Sequence, residues 1–144
     1  MMEETSEDAV EKVELSEGSE HIVKMLNSGE GGQMIFEPAV IKVSVGDTIH
    51  FKATDAAHNS VSIDGMLPAG AVSWASQLSQ DISVTLDTEG VYVYQCDPHL
   101  IMAMVGVIQV GEAVNMDEVR SAASSYSSNF LMNNDRLQSY LNQL

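Results

Sequence analysis

The chain has 144 residues, and 44% of them are hydrophobic, which is enough for one domain with a buried core. It carries 21 acidic and 6 basic residues, so its net charge at pH 7 is −15. Nucleic acids and anionic membrane surfaces bind proteins through Lys and Arg patches, so this charge argues against both as partners. A single cysteine excludes an internal disulfide bond. Because no apolar run approaches the roughly 20 residues of a spanning helix, we expect no membrane insertion.

The first segment of the chain is strongly acidic. Residues 1–20 contain 8 acidic residues and one lysine, a composition typical of a disordered tail. Val10, Val13 and Leu15 leave a short docked or helical piece as the alternative. We therefore predict a tail over residues 1–20 and one folded domain over residues 21–144. The acidic start also lacks the basic and apolar regions of a secretory signal peptide, and we expect that such a peptide has been removed.

Short segments with alternating or β-branched apolar residues follow, and these are typical of strands. The predicted strands cover residues 21–27, 34–38, 40–45, 48–53, 61–63, 82–86, 91–95 and 105–110. Short strands at this spacing predict an all-β sandwich or barrel. Glycines predict a flexible loop over residues 28–32, Pro38 indicates an edge strand or a bend, and residues 71–77 are expected to form one or two helical turns.

After Gly111 the apolar residues change to helical spacing. Asn115, and the segment of residues 133–135, are candidates for the N-caps of two helices. The two apolar faces consist of Met116, Val119, Ala122 and Ala123, and of Leu137, Tyr140, Leu141 and Leu144. We therefore predict two amphipathic helices within residues 115–144 that pack on the sheets.

The nine residues from Cys96 to Met104 form the most informative stretch of the sequence. They lie between two predicted strands, so they form a tight loop that contains a thiol, an imidazole and two thioethers. A blue-copper site needs two histidines, one cysteine and a weak axial ligand that is usually methionine. His99 lies in the loop, and His58, between two other predicted strands, is the best candidate for the second histidine. The residues alone leave Met102 and Met104 open as the axial ligand.

Other interpretations of these residues carry less weight. A lone cysteine is most often a buried apolar side chain, and Cys96 by itself does not exclude this. In a thiol-dependent enzyme, Cys96 would be the nucleophile and His99 the base, but no third group is evident that would orient the base. A structural zinc site usually needs several Cys/His pairs. His21 and His50 are weaker ligand candidates, because the first begins a strand beside the tail and the second faces solvent. The combined pattern favours a copper site.

At these residues the chain resembles the cupredoxin family, and within it the pseudoazurins. Plastocyanins share the Cys-x2-His-x4-Met spacing, so this motif does not distinguish the two groups. The other matching segments favour the pseudoazurins. These segments are Met25-Leu26-Asn27, Phe36-Glu37-Pro38-Ala39, Val45-Gly46-Asp47-Thr48, His58-Asn59, Met66-Leu67-Pro68-Ala69-Gly70-Ala71 and the two C-terminal helices. The resemblance implies a Greek-key β-sandwich of about eight strands with two C-terminal α-helices. It also implies one type 1 copper held by His58, Cys96, His99 and Met104.

The resemblance further implies a single-electron carrier of the periplasm rather than an enzyme. Its expected partners are a nitrite reductase or a cytochrome, which dock transiently at the face that carries His99, and the carrier is expected to be a monomer. Met34 matches a position beside the exposed histidine, and Asn59 matches a residue that holds the cysteine loop. The sequence predicts an apolar docking patch of Leu67, Pro68, Pro98, Leu100 and Ile101. A copper storage or delivery protein and a non-redox interaction domain are the alternatives.

Two departures from the family pattern concern the partner. Pseudoazurins usually surround the copper face with lysines, whereas the matching positions here carry Ser28, Ala56 and Gln95. Asp97 stands where the family often has threonine, so a carboxylate lies next to the cysteine. We therefore expect a partner that docks mainly through apolar contact, or one with a basic patch.

Overall fold

The computed structural model describes residues 11–144, and residues 1–10 of the predicted tail lie outside the described part. Eight strands form two four-stranded sheets, and two α-helices follow them. The elements are β1 (Glu20–Gly29), β2 (Gly32–Glu37), β3 (Val40–Val43), β4 (Asp47–Lys52), β5 (Val61–Ser62), β6 (Ile82–Leu86), β7 (Gly90–Gln95), β8 (Val105–Val110), α1 (Met116–Tyr126) and α2 (Arg136–Leu141). The predicted sandwich with two C-terminal helices is confirmed.

The strand order is β2-β1-β4-β6 in one sheet and β3-β8-β7-β5 in the other. Every connection from β2 to β7 crosses from one sheet to the other, as in a Greek-key sandwich. The predicted edge position of the strand before Pro38 is confirmed, because β2 lies at the edge of its sheet. Strand β7 pairs with β8 on one side and β5 on the other, so its C-terminal end lies inside the second sheet.

The core has two parts because β7 and β8 are covered on both faces. Between the sheets, Tyr94 packs edge-on against Phe36 and Phe51, with ring centroids 4.7 and 4.9 Å apart. The other face of the second sheet is covered by the predicted helix faces, including Val119 and Leu137, which are buried. Burial on both faces explains why β7 and β8 are nearly continuous apolar runs.

The structure corrects two predictions about loops. Residues 28–32 are not a flexible loop, because β1 continues to Gly29 and β2 begins at Gly32, which leaves a two-residue hairpin turn. Residues 71–77 form no helical turn. The backbone amide of Trp74 donates instead to the Ser62 hydroxyl at 2.9 Å, and the Trp74 carbonyl accepts from the Ser62 amide at 3.0 Å. Stacking of Trp74 on Phe51 buries the indole and holds this segment extended.

Strand β3 ends at Val43, two residues before the predicted end. The turn that follows is held by Asp47, whose carboxylate accepts from the Ser44 amide at 3.0 Å and from His21 Nε2 at 2.8 Å. Burial raises the pKa of Asp47, but these two hydrogen bonds outweigh it and lower the pKa overall. His21 is therefore the buried hydrogen-bond partner of Asp47 rather than a ligand.

The segment before β1 contacts the domain. The Val13 amide donates to the Gln143 carbonyl at 2.8 Å, and the Ser16 amide donates to the Lys42 carbonyl at 2.8 Å. Residues 11–19 therefore dock on the domain, as the alternative interpretation of this segment expected, and are not a disordered tail. The division of the chain at residue 20 stays a prediction. Neither α1 nor α2, the α-helices of residues 11–144, has the length and hydropathy of a membrane span.

The predicted caps of the two helices also need correction. Asn115 precedes α1, but its side chain makes no capping bond. It accepts from the Val91 amide at 2.7 Å and donates to the Val91 carbonyl at 3.0 Å instead. Asp135 precedes α2 and also makes no capping bond. The Asn115 side chain thereby fastens the start of α1 to β7, a use that local sequence does not distinguish from capping.

Candidate metal centre

Three of the predicted ligands converge at one end of the second sheet. The donor atoms of His58, Cys96 and His99 all lie within 4.8 Å of one another. The Cys96 Sγ lies 3.7 Å from His58 Nδ1 and 3.4 Å from His99 Nδ1. Cys96 and His58 are fully buried, whereas His99 is partly exposed.

The loop from Cys96 to Met104 is held by its own backbone. Asp97–Met102 forms a 3₁₀ segment with Pro98 in its first turn, and the His99 amide donates to the Cys96 carbonyl at 3.2 Å. Ala103, with φ 60°, then returns the chain toward β8. The Cys96 amide donates to the Met104 carbonyl at 2.9 Å, so both ends of the loop are paired. Met104 is fully buried beside the cysteine, whereas Met102 is partly exposed.

The His58 ring is oriented by Asn27, a residue of the first sheet. Its Nε2 lies 2.7 Å from the Asn27 Oδ1 at the end of β1. Because Nε2 then carries the proton and donates to this oxygen, Nδ1 keeps its lone pair and faces Cys96. Burial lowers the pKa of His58, the charge of His99 lowers it further, and Asp55 opposes these effects. The neutral imidazole, which can bind a metal, is therefore favoured.

Asn59 and Asp97 join the two loops that carry the ligands. The Asp97 amide donates to the Asn59 Oδ1 at 2.8 Å, and the Asn59 Nδ2 lies 3.4 Å from the Asp97 carboxylate. The same carboxylate accepts from the Gln95 Nε2 at 2.8 Å, and Gln95 in turn accepts from the Tyr126 hydroxyl. Burial and the Asp97 charge raise the pKa of Tyr126 to about 12. The chain of hydrogen bonds thus ties α1 to the cysteine loop.

The donors have the chemistry and spacing of a copper site. Burial raises the pKa of the Cys96 thiol, although the backbone amides of Asn59 and His99 hydrogen-bond to the sulfur and oppose this. An ion about 2.0–2.3 Å from each donor fits among atoms that lie 3.4 to 3.7 Å apart. Two imidazoles and a thiol, with the buried Met104 in the same core cluster as Cys96, favour copper over harder metals.

Arg136 is the main residue that sequence reasoning missed. From the start of α2, its guanidinium donates to the Met34 carbonyl at 3.1 Å and to the Ala103 carbonyl at 3.2 Å. It thereby fastens the cysteine loop to β2. Met34 packs against the core with φ 52°, and its carbonyl is the group that Arg136 contacts. A Met34 side chain beside His99 stays a prediction. No signal near Arg136 in the sequence indicates these contacts, since they span more than 30 residues.

The remaining candidate, His50, lies away from the metal centre. Its ring nitrogens contact the Ser83 hydroxyl at 2.6 Å and the Glu20 carboxylate at 2.5 Å on the outer face of the first sheet. Cross-strand pairing of β4 with β1 and β6 brings these residues together. His50 therefore ties three strands together and is not a copper ligand.

We expect Arg136→Met to loosen the cysteine loop and to lower the free energy of unfolding by about 2 kcal/mol, because hydrogen bonds from a charged group are lost. Urea unfolding of the copper-free protein and the rate of copper release measure the two effects. Arg120→Met is the matched control, since the Arg120 guanidinium donates to Asn142 and Leu141 at the C-terminal end of α2 and not to the cysteine loop. The control should cost at most about 1 kcal/mol and leave copper release unchanged. Equal copper release from both variants would contradict the role of Arg136.

Sandwich topology and a histidine-cysteine-histidine cluster, of which only His99 is partly exposed, define a cupredoxin-type copper protein. The family described as copper binding proteins, plastocyanin/azurin family, matches residues 23–111. The chain therefore belongs to this family, and copper is its cofactor.

Within the family, the resemblance to pseudoazurins is confirmed. The pseudoazurin of Paracoccus pantotrophus is 43% identical over 103 residues, which are 71% of this chain and 71% of that protein. The crystal structure of pseudoazurin from Hyphomicrobium denitrificans covers 87% of this chain and 98% of its own, with 32% identity and a TM-score of 0.75. The pseudoazurin structure from Methylobacterium extorquens AM1 covers 71% and 84% of the two chains, with 44% identity and a TM-score of 0.69. The chain is thus a type 1 copper electron carrier and not an enzyme.

Proposed function

We propose that this carrier holds its copper with His58, Cys96, His99 and Met104, and that it exchanges single electrons in the periplasm with a nitrite reductase or a cytochrome. The convergence of the two imidazoles on the Cys96 sulfur, at 3.4 and 3.7 Å, carries the ligand assignment. Burial and the pairing of its backbone with Cys96 favour Met104 over Met102 as the axial ligand. The pseudoazurin relatives support the compartment and the kind of partner.

Copper in such a site supplies one-electron chemistry by alternating between Cu(II) and Cu(I). The residues of the chain keep the donor atoms in one arrangement for both states. Asn27 fixes the His58 ring, the Asn59–Asp97 pair joins the two loops, and Arg136 fastens the loop to β2. A site that is held from three sides moves little when its charge changes, so electron transfer requires little rearrangement.

His99 is the proposed point of electron exchange. It is partly exposed, whereas His58 and Cys96 are fully buried. Pro98 and Ile101 are exposed in the same loop and support apolar contact with a partner. A small apolar contact suits a transient complex, since an electron carrier must dissociate after each transfer.

Leu67 and Pro68 do not belong to this docking patch. Pro68 is buried against Gly90, at the start of β7, while Cys96 follows the end of the same strand. Gln95 lies five residue steps along the strand from Gly90, which corresponds to about 17 Å. The prediction was wrong for these two residues because it used their apolar character without their position on the sheet.

The test is the optical spectrum of the purified protein after one equivalent of Cu(II) is added and the excess is removed. We expect an intense charge-transfer band that ascorbate bleaches and ferricyanide restores, with the copper retained throughout. A colourless protein would overturn the thiolate-ligated site. Copper that is released on reduction would overturn the carrier function and favour storage or delivery.

A further inference from the structure

We propose that the redox partner docks on an apolar surface that joins the cysteine loop to the segment between α1 and α2, and that this partner carries basic side chains around its own contact. The inference rests on the proposed function and names the partner's chemistry. The surface, called here the joined patch, consists of Ile101, Leu131 and Met132.

The joined patch is exposed although its residues are large and apolar. Ile101 is 50% exposed, Leu131 77% and Met132 48%. Nine large apolar side chains are exposed in the described part of the chain, and three of them meet here from segments 30 residues apart. Single exposed apolar residues are ordinary, but a contiguous group marks a contact surface.

The backbone holds the two halves of the joined patch together. The amides of Leu131 and Met132 both donate to the Ile101 carbonyl, at 2.7 and 3.3 Å. Asn133 Nδ2 donates to the Met102 carbonyl at 3.2 Å, and Phe130 is buried on the other side of the segment. Because Ile101 is two residues from His99, the patch continues the surface at which electrons are exchanged. A patch fixed before binding costs less ordering when the partner docks.

The acidic side chains around the joined patch favour a partner with basic side chains. Lys and Arg are absent between Lys52 and Arg120, a stretch that supplies both histidines and the cysteine and contains 9 acidic residues. The guanidinium of Arg136, close to the patch in sequence, is engaged by backbone carbonyls. Asp97 and Asp135, in the two segments that form the patch, are exposed.

This arrangement fits a partner with an apolar centre and a rim of lysines or arginines. Opposite charges at the rim raise the rate of encounter, whereas an acidic partner is repelled. No lysine or arginine in the stretch between Lys52 and Arg120 opposes such a rim.

The experiment measures second-order electron transfer by stopped flow between the copper-loaded protein and two c-type cytochromes, one strongly basic and one strongly acidic. With the basic cytochrome the rate constant should fall as ionic strength rises, and with the acidic cytochrome it should be smaller and should rise. The opposite salt dependence would overturn the basic partner.

Leu131→Ser tests the joined patch. We expect it to lower the rate constant with the basic cytochrome about tenfold, which corresponds to the loss of about 1.4 kcal/mol of contact. Met132→Ser should act in the same direction. Val114→Ser is the matched control, because Val114 is 65% exposed but precedes α1 at the other end of β7. The control should stay within about twofold, and all variants should keep the spectrum and reduction potential of the parent.

The outcomes separate this inference from the proposed function. Ascorbate should bleach every variant. If it does, and if Leu131→Ser and Met132→Ser still transfer electrons as fast as Val114→Ser, only the joined patch is overturned. If ascorbate fails to bleach the parent protein, the carrier function is overturned and the docking surface with it.

Discussion

Replacing Cys96 with serine is expected to abolish the intense charge-transfer band and to weaken copper binding by more than about 100-fold. A serine hydroxyl stays protonated near neutral pH, so it supplies neither the charge nor the soft sulfur that copper needs. Even changes outside the ligand set cost 10–100-fold in metal affinity, and the loss of a ligand exceeds that. The optical spectrum and a competition titration with a chelator measure the two effects.

The copper-free Cys96→Ser protein should still fold. The buried hydroxyl can accept from the Asn59 and His99 amides, which hydrogen-bond to the thiol in the parent protein. Its free energy of unfolding should therefore change by about 1 kcal/mol or less. Met102→Leu is the control within the same loop and should keep both the band and the affinity. A Cys96→Ser protein as blue as the parent would exclude Cys96 as the ligand.

Gly106→Ala should lower the free energy of unfolding by about 3 kcal/mol, although only one methyl group is added. A Cβ at residue 106 would lie 2.8 Å from Cε2 of Tyr94 and closer still to Cζ and the hydroxyl. Tyr94 is fully buried between Phe36 and Phe51, so its ring has no room to move away. Inserting volume into a packed core costs about 1–3 kcal/mol and more when the neighbour is rigid.

Thermal unfolding of the copper-free protein measures this effect, and a fall in Tm of roughly 10 °C is expected. Gly31→Ala is the matched control, because its added Cβ would meet only Ile35 Cδ1, at an ordinary 3.7 Å. The control should change the free energy of unfolding by no more than about 0.5 kcal/mol. Equal losses in the two variants would show that chain entropy, rather than the contact with Tyr94, makes glycine necessary at position 106.

Most strands, both helices and the metal centre could be predicted because their signals are local. The alternation of Ile49 and Phe51 marks one buried face, and both side chains are buried in β4. The Cys96–Met104 loop brings together three ligand types within nine residues, so its chemistry does not depend on distant pairing. His58 could be identified only as the best candidate among four histidines. Asn27, which orients it, was named only as part of a segment that matches the pseudoazurins, and its role was not predicted.

Predictions failed where the outcome depends on a distant partner. Residues 71–77 have no helix because Trp74 is buried against Phe51 and its backbone pairs with Ser62. Asn115 has the type and position of a cap, but β7 lies close enough to take its side chain. In both cases local preference is worth about 1 kcal/mol. Burial of the indole exceeds it at Trp74, and two long-range hydrogen bonds exceed it at Asn115.

The sequence by itself determined that this chain is a copper-binding β-sandwich, because alternating strands and a compact ligand loop are properties of adjacent residues. Only the tertiary structure decided what holds and surrounds that loop. Arg136 reaches Met34 and Ala103 across the sandwich, and Leu131 meets Ile101 from the segment between the helices. These contacts depend on how α1 and α2 pack on the second sheet. Packing depends on the shapes of surfaces far apart in the chain, and no local pattern records it.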